Sequence, residues 1–104
     1  MVVSSTSTNV VKIGTHLDVR SVGHVRVTLN QAIASASGDV AVDMGALEII
    51  DAAGLGMLTA AHLRAERAGA HLVLRNCSKE LRRVLAVTRL NRLLHLDRGL
   101  ELTA

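Results

Sequence analysis

The stretch that decides the fold is Ile50-Asp51-Ala52-Ala53-Gly54-Leu55-Gly56. It separates a strand-like segment from a segment with helical periodicity. After Asp51, apolar and small side chains fall within about 100° of one another on a helix of 3.6 residues per turn. They are Met57, Leu58, Ala61, Ala65 and Ala68. Asp51 is therefore placed to cap this helix through its carboxylate, and Gly69 is placed to end it.

Outward from this stretch, strands alternate with helices. Short apolar runs predict strands at 10–13, 40–42, 71–74 and 94–96. Ser21 and Ser78 are placed to cap two further helices, and Gly38 to end the first of them. Helical spacing places Val22, Val25, Leu29, Ile33 and Ala36 on one face of the first helix, and Leu81, Val84, Leu85 and Thr88 on one face of the second. The alternation predicts an α/β fold with at least part of the sheet parallel.

Composition limits what the chain can be. A length of 104 residues predicts one domain, and the absence of Phe, Tyr and Trp requires an aliphatic core. The single cysteine, Cys77, excludes an internal disulfide and fits a reducing cytoplasm, where we expect the protein to act. We expect no signal peptide in the polar segment 1–9, and no apolar run reaches the ~18 residues of a membrane span.

The chain is basic, with a net charge of +3 and a pI of about 10.0. Six of the twelve lysines and arginines lie in one stretch, namely Lys79, Arg82, Arg83, Arg89, Arg92 and Arg98. No aromatic side chain is present to stack on a nucleic-acid base, so we expect no direct DNA binding. A solvated face, an acidic protein partner or a lipid headgroup remains open for the basic stretch.

Other candidate sites are weak. The five histidines (16, 24, 62, 71 and 95) form no His-x-x-x-His or Glu-x-x-His pair, and Cys77 has no Cys-x-x-Cys partner. We therefore expect no metal, no cofactor and no enzyme activity. Gly54 and Gly56 lack the G-x-G-x-x-G spacing, which favours close packing over phosphate binding. Cys77 is interpreted as a packed side chain, with redox reactivity as the alternative.

The middle of the chain resembles a known signature. The segment Asp43-Met44-Gly45-Ala46-Leu47-Glu48-Ile49-Ile50-Asp51-Ala52-Ala53-Gly54-Leu55-Gly56 is similar to the Asp-Leu-Ser-x-Val-x-x-Ile-Asp-Ser-Ser-Gly-Leu-Gly motif of STAS domains, the anti-sigma-factor antagonist family. Further similarities, in family order, are His16-Leu17-Asp18, Ser21 and Arg82-Arg83-Val84-Leu85. The resemblance runs from about residue 10 to residue 97.

This resemblance implies a single STAS domain at 10–104, preceded at 1–9 by a flexible arm or edge strand. It implies a four- to five-stranded mixed sheet with helices packed mainly on one side. It also implies an antagonist that binds a kinase-type anti-sigma factor and releases a sigma factor for transcription. The family is phosphorylated on the second serine of its motif, and here that position is Ala53. We therefore expect no phosphorylation at the usual site.

The partner-binding residues that the resemblance implies are Asp18, Ser21, Asp51, Ala52, Ala53, Gly54, Leu55, Gly56, Thr59 and His62. Helical spacing places Leu55, Thr59, His62 and Glu66 opposite the core stripe, where they form either a partner surface or an ordinary solvated face. Two other roles stay open: a STAS subunit of a membrane phospholipid ABC transporter, and a scaffold subunit of a multi-STAS complex. Homodimer formation also stays open.

Overall fold

A parallel sheet carries the helices of this domain. The computed structural model describes residues 9–36 and 38–97. Its elements in chain order are β1 (Val10–Lys12), β2 (His16–Leu17), α1 (Val22–Ser35), β3 (Val40–Asp43), β4 (Ile49–Ile50), α2 (Ala52–Arg67), β5 (Leu72–Arg75), α3 (Lys79–Val87), a 3-10 helix (Leu90–Arg92) and β6 (His95–Leu96).

Four strands form the main sheet in the order β1-β3-β5-β6, and β2 and β4 form a separate pair. All pairings in the described part of the chain are parallel, because the connection between the two strands of every pair contains a helix. The predicted α/β fold with about four strands is confirmed. The antiparallel pairing that a mixed sheet requires is not found within residues 9–36 and 38–97.

The core is aliphatic, as the composition predicts. Its largest fully buried side chains are Leu17, Leu29, Met44, Leu58, Leu72, Leu74, Leu85, Val40 and Val42. The predicted stripe of α2 is buried at Met57, Leu58, Ala61 and Ala65, whereas Ala68 is exposed. The small Ala61 and Ala65 side chains belong to the single core cluster that joins the sheet to the helices. Packing of Leu, Val, Ile, Ala and Met therefore supplies a core without aromatic rings.

The helix ends follow the sequence signals in part. Ser78 caps α3, with its hydroxyl accepting a hydrogen bond from the Leu81 N–H at 3.0 Å. Gly69 follows α2 with φ +79°, a left-handed conformation that suits glycine. Ser21 precedes α1, but its hydroxyl makes no capping bond. Helix α1 ends at Ser35, before Gly38, because the chain is already extended at Ala36.

Some predictions fall on residues that the structure does not describe. The arm or edge strand at 1–9 lies outside the described residues except for Asn9, whose carbonyl accepts a hydrogen bond from the Ala41 N–H at 2.8 Å. Arg98 and the segment 100–104 also lie outside them. Among the helices in the described ranges, none combines the length and apolar character needed to cross a bilayer.

The two glycines of the Gly-Leu-Gly segment have opposite surroundings. A Cβ atom on Gly54 would collide with the Leu17 carbonyl oxygen and lie 3.0 Å from Ile50 Cγ1. A Cβ atom on Gly56 would meet nothing within 4 Å. The close-packing interpretation is therefore right for Gly54 and wrong for Gly56.

We expect Gly54→Ala to lower the free energy of unfolding by about 1–3 kcal/mol, because the added methyl overpacks a site bounded by backbone. Gly56→Ala is the matched control, and we expect it to raise stability by up to about 1 kcal/mol through helix propensity. Urea unfolding followed by circular dichroism measures both, since the chain has no tryptophan or tyrosine. Equal effects of the two substitutions would contradict this packing.

Candidate partner-binding surface at the start of helix α2

The Asp51 carboxylate holds two segments together. One oxygen accepts a hydrogen bond from the Gly54 N–H at 2.9 Å, which caps α2 as predicted. The other oxygen accepts a hydrogen bond from the Val19 N–H at 3.0 Å. The Gly54 bond is the main reason that the pKa of Asp51 lies below its ordinary value of 3.8; burial opposes the shift and the Val19 bond adds to it. Asp51 is therefore charged at neutral pH and joins the loop before α1 to the start of α2.

That loop has its own internal hydrogen bonds. The Ser21 hydroxyl donates to the His16 carbonyl at 3.0 Å and accepts from the Asp18 N–H at 3.1 Å. The Asp18 carboxylate accepts from the Arg20 N–H at 3.0 Å. Asp18 and Ser21 therefore lie in the loop that Asp51 contacts through Val19, and their polar atoms shape that loop.

Exposed apolar groups surround the capped helix start. Ala52 and Ala53 are exposed at the first two positions of α2, and Gly56 is exposed one turn later. Val19, whose N–H is bound by Asp51, is 71% exposed, and Ile49, two residues before Asp51, is 49% exposed. We call Val19, Ile49, Ala52, Ala53 and Gly56 the helix-start surface.

Sequence reasoning missed Val19 and Ile49. For Val19 the available signal was its position in a loop between two charged residues, Asp18 and Arg20. For Ile49 the signal was the pair Ile49-Ile50, because adjacent strand residues point to opposite faces and only one of them can face the core. Both add exposed apolar area to the helix-start surface.

Three other candidates lie beneath this surface. Gly54 is buried against the Leu17 carbonyl, and Leu55 is half-buried and packs on the core. The Thr59 hydroxyl donates to the Leu55 carbonyl at 3.0 Å. These residues support the helix start more than they form its outer face.

The expectation that His62 faces solvent is wrong, because its exposed fraction is 4%. The edge strand β6 places the His95 ring 5.4 Å from the His62 ring, between centroids, and so covers this side of α2. Glu66, one turn further along α2, lies 3.0 Å from His71 Nδ1 and 3.2 Å from His95 Nε2. Hydrogen bonding to His71, then to His95, lowers the pKa of Glu66, and the Glu66 bond raises the pKa of His71.

Cys77 supports the packing interpretation. Its side chain is half-buried against the core, and burial raises the pKa of the thiol to about 11, against a small opposing effect of Arg82. The thiol is therefore protonated at neutral pH and is a poor nucleophile. In the basic stretch, Lys79, Arg83, Arg89 and Arg92 are exposed and Arg82 is half-buried.

Comparison with known proteins assigns the family. The family model described as "Mlab, STAS domain" matches residues 1–96, so the chain belongs to the STAS-domain family. A comparison with curated proteins gave no match.

Solved structures share the fold. A protein from Thermotoga maritima, described as a candidate anti-sigma factor antagonist, is 18% identical with a TM-score of 0.73, over 85% of this chain and 78% of that one. The anti-sigma factor antagonist SpoIIAA in its unphosphorylated form is 20% identical with a TM-score of 0.66, over 85% and 76%. A sulfate transporter family protein from Wolinella succinogenes is 19% identical with a TM-score of 0.64, over 85% and 75%. At these identities the likeness establishes the fold alone.

The depressed pKa of Asp51 gives the contact at the helix start a pH dependence. A carboxylate with a lowered pKa stabilises the fold above its unfolded pKa, near 3.8, and this contribution is lost as the pH falls through the lower folded value. We expect Asp51→Asn, which keeps an acceptor oxygen but does not titrate, to show a shallower loss of stability below about pH 4 than the wild type. Urea midpoints measured between neutral and acidic pH provide the test.

Glu48→Gln is the control, because it removes a nearby exposed carboxylate that does not cap a helix. This control separates the loss of the capping carboxylate from the loss of an exposed carboxylate in general. An Asp51→Asn slope equal to the wild-type slope would show that Asp51 is not held as described.

Proposed function

We propose that this chain is an anti-sigma-factor antagonist. It binds a kinase-type anti-sigma factor in the cytoplasm, and this frees a sigma factor for transcription. The observation that carries the proposal is the helix-start surface: exposed Ala52 and Ala53 stand beside exposed Val19 and Ile49, and Asp51 holds both segments in place. A preformed apolar surface of this kind binds a protein with little ordering cost. The likeness in fold to two proteins described as anti-sigma factor antagonists adds support.

Phosphorylation at the usual position is not part of the proposal. Ala52 and Ala53 have no hydroxyl group. In the family that the motif resembles, a phosphate at the second of these positions would add about −1.5 to −2 charges beside the start of a helix. The chain therefore acts as an antagonist that stays in its binding-competent state, and it acts by stoichiometric binding without catalysis.

The proposed contact has an outer and an inner layer. Ala52, Ala53 and Gly56 touch the partner, together with Val19 and Ile49. Asp18, Ser21, Asp51, Gly54, Leu55 and Thr59 set the shape of this face through the contacts described above. His62 is outside the contact because it is buried.

A second candidate is a STAS subunit of a membrane transporter, of which the phospholipid ABC type is one form. The fold is shared with a sulfate transporter family protein, and the exposed basic residues of α3 and the 3-10 helix provide a second surface for acidic partners. This role does not need phosphorylation, so it is also consistent with alanine at positions 52 and 53. A scaffold subunit of a multi-STAS complex would use the same helix start, so identification of the partner separates the three roles.

We expect Ala53→Asp to weaken binding to a kinase-type anti-sigma factor by at least about tenfold. The new carboxylate would enter the interface without a partner and lose its hydration. The variant should still fold, because an acidic residue in the first turn of a helix interacts favourably with the helix dipole. Affinity capture from the native host, then titration with the purified partner, measures the effect.

Ala34→Asp is the control for an added carboxylate, because Ala34 is exposed in the last turn of α1, away from the helix-start surface. Recovery of an anti-sigma factor on the wild-type and Ala34→Asp chains, with loss on Ala53→Asp, is the expected result. Recovery of a transporter ATPase in its place supports the second candidate. Equal recovery of the anti-sigma factor on all three chains would contradict the proposed surface.

A further inference from the structure

A second group of polar side chains lies toward the other end of α2. His62, Glu66 and His95 each offer one ligand atom, and these atoms lie within 4.8 Å of one another. We propose that they form a binding site for a divalent transition-metal ion of the zinc class. This site is independent of the proposed antagonist function.

The fold brings the three residues together from distant parts of the chain. His62 and Glu66 are one helical turn apart on α2 and so share a face. His95 arrives on β6, which pairs in parallel with β5 and places His95 opposite Val73. The site does not contain the His-x-x-x-His or Glu-x-x-His pair that signals a metal site in a sequence. Its two helical ligands have the spacing His-x-x-x-Glu, and His95 lies 29 residues after Glu66, so the site was not predicted.

The distances are close to those of a tetrahedral site. Zinc binds imidazole nitrogen and carboxylate oxygen at about 2.0–2.2 Å, which places neighbouring ligand atoms about 3.3–3.5 Å apart. Glu66 Oε2 and His95 Nε2 are already 3.2 Å apart. No two of the three ligand atoms are more than 4.8 Å apart, and Glu66 and His95 are exposed, so their side chains have room to move closer.

The His62 ring gives an independent reason to expect a ligand. It is 4% exposed, and its Nδ1 atom is buried without a hydrogen-bond partner among the described residues. A buried polar atom without a partner is costly to a fold, and each such atom calls for an explanation. Coordination of a metal ion through Nδ1 would give this atom its missing partner.

His71 lies beside the cluster and contacts two of its members, Glu66 and His95. Its Nδ1 atom lies 3.0 Å from the same Glu66 oxygen, and its ring packs edge-on to His95 with centroids 4.9 Å apart. Hydrogen bonds of this kind to a ligating carboxylate fix its orientation and strengthen metal binding. His71 is therefore assigned as a positioning residue.

The ligand chemistry selects the metal. Two imidazoles and one carboxylate suit Zn²⁺, Co²⁺, Ni²⁺ and Cu²⁺, whereas Mg²⁺ and Ca²⁺ prefer oxygen ligands. Three protein ligands leave a fourth position for water or for a group from another molecule. Because the ligands come from α2 and β6, a bound ion would link the edge strand to the helix.

The test uses the full 104-residue chain without an affinity tag that contains histidine. Zn²⁺ is titrated by calorimetry, and Co²⁺ is titrated by its visible absorption, which reports tetrahedral coordination. We expect one ion per chain, reversal by a chelator, and a rise in the melting temperature with Zn²⁺ but not with Mg²⁺. His71→Gln should weaken binding by about 10–100-fold, as changes around metal ligands do, and Glu66→Gln and His95→Gln by more.

His24→Gln is the control, since His24 is exposed on α1 and outside the cluster. It should bind Zn²⁺ as the wild type does. Circular dichroism checks that the Glu66 and His95 variants fold, which is expected because both side chains are exposed. The absence of saturable Zn²⁺ or Co²⁺ binding would overturn the proposal, as would binding that Glu66→Gln and His95→Gln leave unchanged.

Discussion

The Asp51 carboxylate is the constraint on which the helix-start surface depends. Its two oxygens bind the N–H groups of Gly54, within α2, and Val19, in the loop before α1. The backbone of the two segments is also in close contact. Gly54 has no room for a side chain against the Leu17 carbonyl, and the Asp51 N–H donates a hydrogen bond to that same carbonyl at 3.3 Å. The short pair β2 and β4 aligns these segments, with Leu17 opposite Ile50. The Asp51 carboxylate therefore joins two segments that are 32 residues apart, together with the backbone bonds of the β2–β4 pair.

Helix α2 has different chemistry at its two ends. Its start is apolar and exposed and has no hydroxyl group at Ala52 or Ala53. These properties suit a protein-binding surface that phosphorylation does not switch. Some 13 residues further on, or about 20 Å along the axis, Glu66 gathers the imidazoles of His71 and His95 beside the buried His62. The histidine cluster therefore shares no residue with the helix-start surface. The two proposals can therefore be examined independently on one domain.

The sequence is most informative where a local pattern determines the structure. The Asp51 and Ser78 caps, the turn at Gly69 and the α2 stripe apart from Ala68 depend on neighbouring residues and were predictable from spacing and residue type. The burial of His62 was not, because it depends on β6, which adds to the sheet edge from 33 residues away. Ser21 shows a similar limit: a serine before a helix predicts a cap, yet its hydroxyl bonds the preceding loop. The exposure of Val19 and Ile49 likewise depends on how the loop and the β2–β4 pair lie together.

Amide hydrogen exchange, measured by NMR in the wild type and in Asp51→Ala, tests the role of this carboxylate most directly. If Asp51 joins the two segments, the amides of Val19 and Gly54 lose protection together in the variant. The Leu81 amide, which is bound by the Ser78 hydroxyl in α3, should keep its protection. A Val19 amide that exchanges at the wild-type rate in Asp51→Ala would show that the loop holds its position without Asp51, and the account of the helix-start surface would be wrong.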